Sequence, residues 1–259
     1  MQVGSVARQF NRYKRQRLSL FRLIARLDIK SPNLVKGVHL EGLRIMGDPH
    51  AFAVKYANEG ADELLYMDIV ASLYGRNQLT DLLQRTTDDV FIPVTVGGGI
   101  KSLQDVKRLF DAGADKVAVN TAALQNPGLI TAISGKYGAQ AIVVSIEAKR
   151  VNGGWEAYTD NGRERTGRDA VAWAAEAQAR GAGEILLTSI DREGTGKGCD
   201  LDLARAITPE LDIPVVICGG VGNPTHIQEA RKCADAVAIA QILHYGKFSI
   251  KECCENATI

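Results

Sequence analysis

Short apolar, β-branched runs alternate along this chain with longer stretches whose apolar residues recur at helical spacing. That rhythm of strand, helix and strand is the pattern of a parallel sheet covered by helices. The runs predict strands over residues 23–27, 63–69, 93–96, 116–119, 141–146, 184–189, 214–217 and 236–239. Helices are expected over 48–60, 103–113, 167–181 and 225–233, the first with Asp48 as N-cap and Pro49 at its first position. Several of these end on glycine, a normal helix stop. Eight strands with helical connections are what closure of a (β/α)8 TIM barrel requires.

An internal repeat sharpens the picture. EGADEL at 59–64 returns as RGAGEI at 180–185, and IPVTVGGG at 92–99 returns as IPVVICGG at 213–220, both at an offset of 121. ADKVAV at 114–119 returns as ADAVAI at 234–239, and LDIK at 27–30 as IEAK at 146–149, at offsets of 120 and 119. The chain therefore reads as two similar (β/α)4 halves, and each feature of one half should face a counterpart across the barrel. Residues 1–17 fall outside the repeat and read as an N-terminal extension, with a single barrel over 18–259.

Composition narrows the function classes. At 259 residues and 46% hydrophobic content the chain can bury a large core. Its 31 basic and 30 acidic residues nearly cancel, so no global field favours nucleic acid or an anionic membrane. No apolar run approaches a membrane span. The five cysteines are odd in number and lack paired metal-ligand spacing, which points to reduced thiols of a cytoplasmic protein, and no metal or other cofactor is expected.

The candidate chemistry gathers at the strand ends. Gly98 and Gly99, and again Gly219 and Gly220, end a strand and precede a helix, where backbone N–H groups can converge on a phosphate. The plainer reading of one such pair is a tight turn that needs glycine. Two related pairs on the C-terminal face of a barrel favour a substrate phosphorylated at both ends. Asn120 and Thr121 stand beside the first pair, and Gln241 beside the second. Asp28 and Glu147 follow apolar strands at equivalent places in the two halves, where two carboxyls can divide acid and base roles. Asp68, Asp191, Glu193 and Gly194 lie on the same face. Lys36 lies on residues 31–47, read as a long, glycine-containing loop able to act as a lid. At the opposite end, Arg22, Glu63, Lys116 and Glu184 open four strands with alternating charge, either as a plug of salt bridges or as a gate on a central passage.

These segments resemble the cyclase (synthase) subunits of imidazole glycerol phosphate synthase from about Phe21 to Tyr245. The resemblance is carried by LDIK (27–30), KGV (36–38), GDP (47–49), GADEL (60–64), TVGGGI (95–100), GADKV (113–117), VNTAA (119–123), GWE (154–156) and EILLTSIDR (184–192). It implies a glutaminase subunit on the barrel's N-terminal face and ammonia passing through the barrel. That ammonia attacks a bis-phosphorylated ribulosyl-formimino aminoimidazole carboxamide ribonucleotide, giving imidazole glycerol phosphate and aminoimidazole carboxamide ribonucleotide. Asp28 and Glu147 fall at its catalytic carboxylates, and the four bottom charges at its ammonia gate. The chain departs from the family where Glu147 and Glu193 stand for Asp, and where Gln241 replaces a small hydroxyl residue. The segment after Tyr245 is also short. An alternative remains, a paralogous barrel that channels a glutaminase's ammonia for amidation of a nucleotide-linked surface sugar. The sister isomerase of the histidine pathway uses no ammonia, so the four bottom charges argue against it.

Overall fold

The computed structural model describes residues 21–71 and 79–257, and the expected extension over residues 1–17 lies outside them. Each apolar run predicted as a strand forms one, because branched aliphatic side chains fit an extended backbone covered on both faces. In chain order the strands are β1 (Arg22–Lys30), β2 (Asn33–Val38), β3 (Glu41–Gly47), β4 (Glu63–Asp68), β5 (Val94–Gly97) and β6 (Lys116–Val119). They continue with β7 (Ile142–Val151), β8 (Gly154–Thr159), β9 (Glu164–Asp169), β10 (Glu184–Ser189), β11 (Val215–Cys218) and β12 (Ala236–Ile239). Eight pair in parallel in the order β1-β4-β5-β6-β7-β10-β11-β12, and β12 returns to β1. The sheet is therefore a closed (β/α)8 barrel.

Two departures from the sequence reading are themselves symmetric. Residues 31–47 are not a loop. Strand β1 runs on into an antiparallel meander, with Asp28 opposite Val35 and Lys36 opposite Arg44. In the other half β7 runs into β8 and β9 in the same way, with Glu147 opposite Tyr158. The helix expected from residue 167 starts only at Ala170, because Glu164–Asp169 is strand, and Asp169 caps it by accepting from the Ala172 N–H at 2.8 Å. The helix Pro49–Asn58 begins as expected, with the Asp48 side chain accepting from the Ala51 N–H.

The aspartates that follow Gly60-Ala61, Gly113-Ala114 and Cys233-Ala234 have a structural job. Asp62 accepts from the Leu23 N–H at 2.7 Å, Asp115 from Val94 at 2.7 Å and Asp235 from Val215 at 3.0 Å. Each carboxylate thus satisfies an amide at the start of a neighbouring strand.

Strand alternation divides the interior into two shells. The larger packs the outer faces of the strands against the helices, with Leu27, Tyr66, Val96, Ile146 and Trp173 among its buried members. The smaller fills the barrel lumen with Ile24, Leu65, Ala118, Val143, Leu186, Val216, Ala236 and Ala238. Polar residues cap the lumen at both ends, and these two caps carry the candidate chemistry. Among the described residues, no helix is long and apolar enough to cross a membrane.

Candidate active site

Strand order places the sequence candidates face to face. Strand β7 stands four places from β1 in either direction around the wall, so Asp28 and Glu147 lie on opposite sides of the barrel mouth. Strands β5 and β11, which deliver the two glycine pairs, are opposed in the same way. Both carboxyl groups are buried, at 3% and 5% exposure, so neither can behave as a surface acid.

Their environments differ. Arg26 Nε donates to Asp28 Oδ1 at 2.8 Å, and Lys36 Nζ donates to Asp28 Oδ2 at 3.4 Å. Burial alone would push the Asp28 carboxyl up, but Arg26 and then Lys36 outweigh it and hold the group below the usual carboxylate range. Glu147 lacks a direct cation among the described residues and accepts only the Gly162 N–H, at 2.7 Å. Burial pushes its carboxyl up to about 7, against the opposing pull of Arg26 and the Gly162 amide. Near neutral pH Asp28 is therefore ionised while Glu147 is close to half protonated, a separation that would suit a division of acid and base roles.

A cavity of about 270 Å³ opens on the Glu147 side. It is lined by Asp68, Gly98, Gly99, Asn120, Thr121 and Glu147, so six sequence candidates share one wall. Gly98 has φ +102°, and a Cβ there would stand 2.2 Å from the Asp68 carbonyl oxygen, so only glycine lets this turn pack on β4. Asn120 Nδ2 donates to the Tyr158 carbonyl at 3.2 Å, which leaves its buried Oδ1 with no hydrogen-bond partner among the described residues. Thr121 Oγ1 accepts from the Asp160 N–H at 3.1 Å, tying the β8–β9 turn to the same wall.

On the other side the fit is tighter. A Cβ on Gly220 would meet the Gly198 carbonyl oxygen at 2.1 Å, because the segment after β10 lies directly over the second glycine pair, and the Gly198 N–H donates to Gly220 O at 2.7 Å. Gly219 faces Ser189 and Glu193, and Gly194 sits over the Gly37 carbonyl. The Gln241 Oε1 is buried with no partner among the described residues. Lys36 pairs closely with buried Glu193, so β2 is pinned to the segment after β10 by a charge pair. Asp191 stands aside, its carboxylate accepting the Arg150 N–H at 2.9 Å.

Sequence reasoning missed Arg26. It lies mid-strand inside an apolar run, yet it shares strand parity with Arg22 and Asp28, and parity alone would have placed it in the lumen. Its guanidinium is 2% exposed and reaches Thr188 Oγ1 at 3.2 Å and Cys218 Sγ at 3.3 Å.

At the N-terminal end of the barrel, Lys116 Nζ lies 3.0 Å from both Glu63 and Glu184, and Arg22 pairs with the same two carboxylates. The four form a closed ring across the lumen. A family model described as histidine biosynthesis protein matches residues 22–249. The chain belongs to that family. Within it, the imidazole glycerol phosphate synthase subunit HisF of Legionella pneumophila is 60% identical over 207 residues, covering 80% of this chain and 98% of that protein. The subunit HisF of Myxococcus xanthus (strain DK1622) is 51% identical over 227 residues, 87% of this chain and 90% of that protein. The family seen in the sequence motifs is thus the family found by comparison, and the HisF relatives support a cyclase function in histidine biosynthesis.

Proposed function

We propose that this barrel is the ammonia-using lyase and cyclase of an imidazole glycerol phosphate synthase. Its substrates would be ammonia and the bis-phosphorylated ribulosyl-formimino aminoimidazole carboxamide ribonucleotide, its products imidazole glycerol phosphate, aminoimidazole carboxamide ribonucleotide and the water lost as ammonia condenses with the ribulosyl carbonyl. One observation carries the reading: Glu147, a buried carboxyl with its pKa near 7, forms part of the same cavity wall as a glycine turn and Asn120-Thr121. A phosphate seated on the Gly98, Gly99 and Thr121 amides would hold one end of the substrate there. Glu147, half protonated near neutrality, donates a proton to a leaving nitrogen and recovers it from the attacking one. Asp28 stays ionised and stabilises positive charge developing at nitrogen. Gly194, Gly219, Gly220 and Gln241 would receive the second phosphate once the backbone at Gly198 lifts off Gly220. Lys36 and Asp68 orient the chain between the ends, with Glu193 holding Lys36 and Asp191 the base of the segment.

The subunit name shared by the relatives implies a partner, and the glutaminase would dock on the N-terminal face. The ring of Arg22, Glu63, Lys116 and Glu184 then admits ammonia from that side. Neutral ammonia can cross the apolar lumen above the ring, whereas ammonium would have to shed its hydration at high cost.

Arg26 favours a second reading. It occupies one oxygen of Asp28, as an ammonia conduit with little chemistry of its own would tolerate. Such a barrel would feed amidation of a nucleotide-linked sugar instead. Ammonium-driven turnover of the ribulosyl-formimino substrate by the barrel alone separates the two: turnover supports the cyclase, and its absence in folded protein supports the conduit.

A further inference from the structure

The lumen is closed at two levels. The lower closure is the ring of Arg22, Glu63, Lys116 and Glu184. The next layer is apolar and partly small, with Ala118, Ala236 and Ala238 turned inward. Above it Arg26 leaves β1 and reaches Cys218 on β11 and Thr188 on β10, the second and third strands from its own. Its Nε remains on Asp28 at 2.8 Å.

Three features set this side chain apart from ordinary packing. Leu65 is its register partner on β4, but the side chains it reaches across the lumen, Thr188 and Cys218, are short, so it is Arg26 that spans from β1 to β10 and β11 there. Its counterpart in the repeat is Ser145, so the half-barrel plan does not require a long side chain at this position. An apolar residue would fill the space without the desolvation that a buried guanidinium incurs. The lumen also holds other anions that attract the same cation, since Glu147 and Glu193 both lie within its field.

We infer that Arg26 is an inner gate, a side chain that seals the apolar section of the lumen from the cavity above and must swing away for a small neutral molecule to pass. This rests on the reading of the lumen as the route of ammonia. Ammonia admitted by the lower ring waits beneath Arg26, and movement of the guanidinium from Asp28 toward Glu147 or Glu193 opens the way to the site. Passage is thereby tied to the state of the carboxylates that do the chemistry.

The test uses the full chain carrying Ala238→Cys, which sets a thiol between the two closures. Methyl methanethiosulfonate is small and uncharged, and peptide mass mapping reads modification at position 238 separately from the native cysteines. Adding Arg26→Ala is expected to raise the modification rate by about tenfold or more, because thiol reactivity follows access. Arg26→Ala with Asp28→Asn removes the ion pair as a unit, and a variant whose melting confirms folding should show the same rise. Should Lys116→Ala raise the rate while both Arg26 variants leave it unchanged, the passage stands and the inner gate is overturned. If none of the three raises it, the lumen is not a route at all, and the inference falls with that reading.

Discussion

Two carboxyls in one barrel mouth behave differently because of their neighbours rather than their kind. Asp28 sits between two buried cations and is held ionised. Glu147 is buried with one amide donor and titrates near 7. Because its folded pKa lies above its unfolded value, Glu147 costs nothing below about pH 4.5 and lowers stability progressively as pH rises toward 7. Glu147→Gln should flatten that slope and stabilise the fold at pH 8 by up to about 3 kcal/mol, read by denaturant titration across pH. An unchanged slope would mean that Glu147 is already ionised. Asp28→Asn leaves two buried cations facing one anion, so it should abolish turnover and cost about 3 kcal/mol. Both acids were legible in the sequence, since charged residues at the ends of barrel strands are rarely there for packing. Arg26 was not, because an apolar run hides a charge whose partners come from distant strands.

The meanders β1–β2–β3 and β7–β8–β9 are the elements that shape the mouth. Neither was legible as strand pairs. Their sequences are short and rich in glycine and polar residues, and their pairing depends on strands already fixed by the barrel. The length and glycines of residues 31–47 suggest a lid, yet three contacts pin the first meander down: the Lys36–Glu193 pair, the His39 N–H on Glu193 O at 2.8 Å, and Asn161 Nδ2 on Leu40 O at 3.3 Å. Lys36→Met removes the first and leaves Glu193 buried without that cation. Amide exchange over residues 33–47 should then quicken by about tenfold relative to the barrel strands, measured by mass spectrometry. Uniform exchange across the chain would mean that the pair stabilises the whole fold rather than this element. At the level of single helices the caps were legible, and Asp48→Ala should cost about 1 kcal/mol in thermal melts.

For the whole molecule, the repeat makes the architecture readable in the sequence. Four matched segments at nearly one offset account for eight strands, and in the structure those eight close into one barrel. The same symmetry places the paired carboxyls Asp28 and Glu147 at one end of the barrel on opposite strands. What the repeat could not show is where the halves differ, and the site lives in those differences: Arg26 against Ser145, an open cavity beside Gly98 against a covered pair at Gly220. At the other end, Lys116→Ala should leave ammonium-driven turnover nearly unchanged while altering the glutamine-driven rate in the complex. Equal effects on both rates would make the ring a structural plug.

The most direct test of the account is steady-state turnover of the ribulosyl-formimino substrate by the purified barrel with an ammonium salt, at a pH that supplies free ammonia. The account predicts imidazole glycerol phosphate and aminoimidazole carboxamide ribonucleotide in equal amounts, with the activity lost in folded Asp28→Asn. Folded wild-type protein that yields neither product would contradict it and leave the barrel a conduit.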